Sequence, residues 1–168
     1  MKNKTKGWAG VLLMAALLCC MSRQSSCQSK VDIAPGIGFT EMINLRLRFQ
    51  VADQARVGFS IGWWPPSQEG WFGWGHIFSF TGDLYIHFAG SSDLSGLRPW
   101  FGRFGINYTR DADNAYFLPL CFRVGRELNI DSQTAVSIDA GAGFNLISGS
   151  AGTAALLPLL SINYVYRF

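Results

Sequence analysis

His76 and Ser79 are the residues whose types first invite chemistry, because a hydroxyl near an imidazole is the beginning of an acyl-transfer set. Their spacing works against it. Side chains alternate along an extended strand, so residues three apart have opposite parity and face opposite sides. The pair is therefore a weak candidate for a nucleophile and its base. Asp83, Tyr85 and His87 share a face, but about 13 Å of strand rise separates Asp83 from His87, too far for a direct hydrogen bond. These three read as polar filling with partners on other strands. Cys121 reads as an inert small interior residue. The chain carries no metal-ligand spacing, phosphate-cradling loop or nucleotide motif, and no cofactor or metal is expected.

The elements that must position these residues are strands. Eight alternating segments separated by turn signals run from Val31 to Phe168. The first, Val31 to Phe39, sets Val31, Ile33, Ile37 and Phe39 against Asp32, Ala34, Gly36 and Gly38. The second, Met42 to Val51, sets Ile43, Leu45, Leu47 and Phe49 against Asn44, Arg46, Arg48 and Gln50. The third opposes Val57, Phe59, Ile61 and Trp63 to Arg56, Gly58, Ser60 and Gly62. The fourth, His76 to Phe88, carries Ser79, Asp83, Tyr85 and His87 on its polar face. In the fifth, Trp100, Phe104, Ile106 and Tyr108 oppose Phe101, Arg103, Gly105 and Asn107. The sixth opposes Leu118, Leu120, Phe122 and Val124 to Phe117, Pro119, Cys121 and Arg123. The seventh, Gln133 to Leu146, opposes Val136, Ile138 and Phe144 to Ser137, Asp139, Gly141 and Gly143. The last ends in Ile162-Asn163-Tyr164-Val165-Tyr166-Arg167-Phe168. No helical period occurs between them, so the reading is one all-β domain, an eight-stranded antiparallel up-and-down barrel.

Alternation alone does not say which face is inside. The polar face is rich in glycine and mixes arginine with aspartate, and lysine is absent beyond Lys30. Glycine suits a narrow interior where side chains from opposite walls collide. Arg46, Arg48, Arg56, Arg103, Arg123 and Arg167 are expected to pair there with Asp32, Asp83 and Asp139, since planar guanidinium groups fit a buried ionic network better than ammonium groups do. A soluble domain covers its surface with Lys and Glu, and this one does not. The apolar face is therefore read as facing lipid, with strands of about ten residues matching the hydrocarbon thickness. Trp63, Trp100, Tyr108, Tyr164 and Tyr166 lie near strand ends, as an interfacial aromatic belt requires. An even strand number puts both termini on one side and the longest connection, Pro65 to Gly75 with Trp71, Phe72 and Trp74, on the other. That aromatic loop is expected either to fold onto the rim or to contact a partner, a glycan or lipopolysaccharide.

Lys2, Lys4 and Lys6 precede an apolar run from Trp8 to about Met21, the pattern of a secretory signal peptide over residues 1–29 with the barrel domain at 30–168. Cleavage is expected near Ser29. A lipoprotein signal acylated at Cys19, Cys20 or Cys27 is the alternative; Leu18 is too large before Cys19, and Arg23 separates Ser25-Ser26-Cys27 from the apolar core. Without this segment, ten basic residues face eleven acidic ones, so nucleic-acid binding has no compositional support.

A terminal strand ending in Tyr164, Tyr166 and Phe168 resembles the assembly signal of outer-membrane β-barrels, and the whole pattern is similar to OmpX and the OmpA membrane domain. Gly82-Asp83-Leu84-Tyr85-Ile86-His87-Phe88 and Arg98-Pro99-Trp100-Phe101-Gly102-Arg103-Phe104-Gly105-Ile106-Asn107-Tyr108 also resemble the small barrel proteins of Bacteroidota. The resemblance implies a place in the outer membrane of a Gram-negative bacterium. Its implied partners are membrane lipid, lipopolysaccharide, the barrel-assembly machinery and periplasmic chaperones. It leaves the oligomeric state open. The implied role is structural or surface-interacting with a closed polar interior; the alternatives are a lipid A-modifying acyltransferase or deacylase, and a narrow channel. Arg98-Pro99-Trp100 and Leu156-Leu157-Pro158-Leu159 faintly resemble the lipid A palmitoyltransferase. That family needs a His and an Asp-Ser pair at the outer rim, whereas Asp131-Ser132 is expected at the periplasmic one.

Overall fold

The computed structural model describes residues 31–39, 41–64, 77–110, 116–148 and 156–168, apart from the side chains of 147 and 148. Within them the chain forms eight strands: β1 (Val31–Gly38), β2 (Met42–Ala52), β3 (Ala55–Trp64), β4 (Ile77–Ala89), β5 (Trp100–Arg110), β6 (Tyr116–Asn129), β7 (Thr134–Ser148) and β8 (Leu156–Arg167). Each pairs antiparallel with the next, and β8 returns to β1 to close the barrel. The closing seam sets Asp32 opposite Arg167 and Ile33 opposite Tyr166. Closure removes every sheet edge, so no row of backbone groups is left unpaired.

The period-two pattern becomes a barrel turned inside out. Arg46 and Arg48 are each 1% exposed, while Phe59 is 58% and Ile37 62% exposed. Along β4 the odd residues from Ser79 to His87 are buried and the even ones from Phe78 to Phe88 are exposed. The large apolar side chains form an outer coat and the charged ones form the interior. Register breaks at Gln50/Ala52, His87/Ala89 and Phe117/Pro119 leave this alternation in step around the ring.

The barrel has two unlike ends. The terminal end holds residues 31 and 168 and the connections 53–54, 90–99 and 130–133. The loop end holds the β1–β2 turn and the strand ends at Trp64, Ile77, Arg110, Tyr116, Ser148 and Leu156; residues 65–76, 111–115 and 149–155 lie outside the described residues. The 90–99 connection folds across the terminal end. Gly90, at φ 86°, starts its reversal, and Leu97 is buried beneath it. Gln54 clamps it there, donating from Nε2 to Gly96 O (3.0 Å) and accepting from Arg98 N–H (3.0 Å). At the 130–133 turn, Asp131 Oδ1 accepts from the amides of Gln133 and Thr134, and Oδ2 from the Thr134 hydroxyl, each at 2.7 Å. Those donors hold the Asp131 carboxyl below the usual aspartate range.

Candidate functional site in the barrel lumen

Among the described residues the lumen holds six arginines and five carboxylates, all nearly inaccessible. They form two clusters, one toward each end.

The loop-end cluster is organised by Glu41, a residue of the β1–β2 turn. Met42 adopts φ 57°, a left-handed conformation rare outside glycine, and this folds the turn back into the barrel mouth. The turn fits because Gly62 stands on the facing wall: a Cβ there would lie 2.1 Å from the Glu41 carbonyl oxygen. Glu41 Oε2 accepts from Arg46 Nη2 at 2.5 Å; Oε1 accepts from Arg103 Nη2 and, at 3.1 Å, from Arg123 Nη2. Arg103 also reaches Asp83 Oδ2 at 2.7 Å. Asp139 lies 3.2 Å from Arg123, 3.5 Å from Arg103 and 3.8 Å from Arg46, and accepts from Ser161 Oγ at 2.8 Å. Three cations thus face three anions, and each arginine touches at least two carboxylates.

The terminal-end cluster is a chain rather than a hub. Arg56 pairs with Asp32, and Asp32 Oδ2 accepts from Arg48 Nη2 at 2.8 Å. Arg48 Nη1 donates to Glu127 Oε1 at 2.6 Å, and Glu127 Oε2 accepts from Arg167 Nη2 at 2.6 Å. Here, among the described residues, three arginines and two carboxylates are linked.

An aromatic layer separates the clusters. The Arg48 and Arg103 guanidinium carbons stand 5.4 and 5.6 Å from the Tyr85 ring centroid, within cation–π range. Phe101 packs between Tyr85 (5.7 Å) and His87 (5.6 Å). Gly125 makes room for it, since a Cβ at that position would meet the Phe101 ring at 2.4 Å. His87 Nδ1–H donates to Arg98 O at 2.7 Å, so the imidazole braces the 90–99 connection. An interior of this width is filled by its own side chains.

All nine lumen residues picked out from alternation lie on the inner wall, and every one of them has a carboxylate or guanidinium partner. Sequence reasoning missed Glu41 and Glu127, which accept from five of the six arginines between them. Glu127 had a signal: it shares the parity of Arg123 and Gly125, and β6 runs on to Asn129. Glu41 had none, because it sits in a turn and reaches the lumen only through the backbone of Met42. Ser79 faces the lumen and is 3% exposed; His76 lies outside the described residues. So do the segment read as a signal peptide, with Cys27, and Trp71, Phe72 and Trp74. Tyr164, Tyr166 and Phe168 point outward, with the last two rings 4.9 Å apart. Cys121 is buried and free.

No protein-family model matches this chain, and no curated protein matches it. Among solved structures it is similar to the solution NMR structure of de novo designed TMB2.3, with 12% identity over 86% of this chain and 98% of that one, at a TM-score of 0.47. The barrel topology rests on this chain's own strand pairing.

Proposed function

We propose that this protein is an integral outer-membrane β-barrel with a closed, ion-paired interior, serving a structural or surface-interaction role. The observation that carries the reading is the inverted burial: aromatic and aliphatic side chains coat the outside of a barrel whose charges are inside. Water does not favour such a coat, and lipid does. The dimensions agree. Trp63, Tyr108 and Tyr116 mark the outer face near the loop end, and Trp100, Tyr164 and Tyr166 mark it near the terminal end. On β6, Tyr116 and Arg126 lie ten residues apart; at a tilt of about 40° this spans about 25 Å, the height of an outer-membrane apolar band. Arg126 lies 5.4 Å from the Trp100 ring, as a cation reaching for the headgroup layer would. The packed lumen supports a plug over a pore, and Ser79 faces into that plug, away from the lipid an acyl-transfer enzyme would act upon.

The test is electrophoretic and electrical. The purified protein should migrate faster unboiled than boiled and show no stable conductance in planar bilayers. Identical migration with and without boiling would refute the barrel in detergent. Unitary current steps that disappear in Arg103→Gln would replace the plug with a channel. A lipid A mass spectrum that gains or loses one acyl chain with the intact gene would replace the structural role with catalysis.

A further inference from the structure

A hollow interrupts the apolar outer coat where β4, β5, β6 and β7 lie side by side. Its volume is about 370 Å³, within the roughly 300–1,000 Å³ of small-molecule clefts. The strand register makes it. Ile86, Gly102, Val124 and Ala140 are successive cross-strand partners, so the outward row shrinks to glycine, valine and alanine as it crosses the wall. Toward the middle of the barrel the next row is closed by Phe104 and Phe122, whose rings meet edge to face at 5.6 Å. Phe88 flanks the hollow on β4.

Toward the terminal end the next row sets Trp100 opposite Arg126. Arg126 is exposed, with its guanidinium carbon 5.4 Å from the Trp100 ring centroid. Arg98 is a second exposed cation on this rim, held there by donating from Nη1 to the carbonyl of Phe88 at 3.0 Å. Among the described residues neither arginine has an ion-pair partner, and Asp53, Asp93 and Asp131, the exposed carboxylates of that end, do not pair with them. An apolar trough thus opens toward a cationic rim at the depth of the aromatic belt.

We infer that this hollow binds one anionic phosphoglycerolipid of the leaflet at the terminal end, with an acyl chain in the trough and the headgroup phosphate against Arg126. The inference rests on the membrane reading above. Charge complementarity selects the occupant. The apolar lining takes hydrocarbon, and the guanidinium fork matches phosphate oxygens. Two cations with no carboxylate paired to them favour a headgroup of net negative charge over a zwitterionic one. Trp100 fixes the depth, since an indole beside a guanidinium belongs at the headgroup boundary.

The test is a lipid titration of the full-length protein, read by native mass spectrometry after release from detergent, with phosphatidylglycerol or phosphatidylethanolamine of identical chains. One phosphatidylglycerol should stay bound, with an apparent affinity about tenfold above that of phosphatidylethanolamine. Arg126→Gln should abolish this preference. Ala140→Phe, which fills the trough, should weaken retention of both lipids, and Ile43→Phe, at an outward position on β2, should change neither. Arg126 and Ala140 face outward, so both variants leave the lumen untouched; should Ala140→Phe fail to fold, Val124→Phe takes its place. Equal retention of the two lipids, unchanged in Arg126→Gln, would reduce the hollow to part of the general lipid coat. A dimer that retains no lipid and dissociates in Ala140→Phe would give the hollow to a second copy. Either result overturns the site while the unboiled protein still migrates as a barrel. Loss of that migration difference would overturn the membrane reading, and the site with it.

Discussion

The two ends of the lumen connect the same residue types in different ways. At the loop end one carboxylate, delivered by a turn, draws three arginines from β2, β5 and β6 into a balanced hub. At the terminal end charges from β3, β1, β2, β6 and β8 form a line, three arginines and two carboxylates among the described residues. The hub ties distant strands to a single point; the line stitches the β8–β1 closure, where Asp32 and Arg167 face each other in register. Both are costly to break, because removing one member strands the others without water. The contrast is one of connectivity: at the loop end three arginines share one carboxylate, and at the terminal end no carboxylate meets more than two.

The contrast makes its strongest prediction for acid neutralisation. Glu127→Gln takes from Arg167 the carboxylate it donates to and from Arg48 one of two, whereas Glu41→Gln still leaves Asp83 and Asp139 to its three arginines. Both should destabilise, Glu127→Gln by about 4 kcal/mol and more than Glu41→Gln, in urea unfolding of the reconstituted barrel. Equal losses would break the distinction between the clusters. Removing a cation should reverse the order: Arg103→Met leaves Glu41, Asp83 and Asp139 short of a partner and should cost about 3 kcal/mol, and Arg167→Met, which leaves Glu127 still paired with Arg48, clearly less. The aromatic partition can be tested at Gly125, where Gly125→Ala pushes a methyl into Phe101 and the Ile138 carbonyl. A loss of about 2 kcal/mol is expected from overpacking, with the same unfolding measurement as readout. At the turn that delivers Glu41, Met42→Gly relieves the left-handed strain and should change stability by no more than about 1 kcal/mol in either direction.

The smallest effect is at the exposed 130–133 turn. The folded state lowers the Asp131 carboxyl below its unfolded value, so its contribution is complete above the unfolded aspartate range and is lost as pH falls through the folded value. Protection of the Thr134 amide against hydrogen exchange should decline over that acid range in the wild type. The same decline in Asp131→Asn would show that another group is titrating.

The strands were legible because a strand's pattern is local: each residue's face follows from its parity, whatever lies across the barrel. The same parity placed all six lumen arginines and the three aspartates. It failed at Glu41 because a turn has no period, and the inward aim of that side chain depends on the dihedral of Met42 and the gap at Gly62. It fell short at Glu127 because the end of β6 depends on its pairing with β7, where Glu127 meets Ser137. The sequence by itself determined eight two-faced strands, a polar face crowded with glycine and arginine, and therefore a barrel. Tertiary structure alone decided which guanidinium meets which carboxylate, since those partners are as many as 82 residues apart and meet only through the register of a closed sheet. It also decided that one cluster is a hub and the other a line, because connectivity belongs to a volume and a sequence is read along a line.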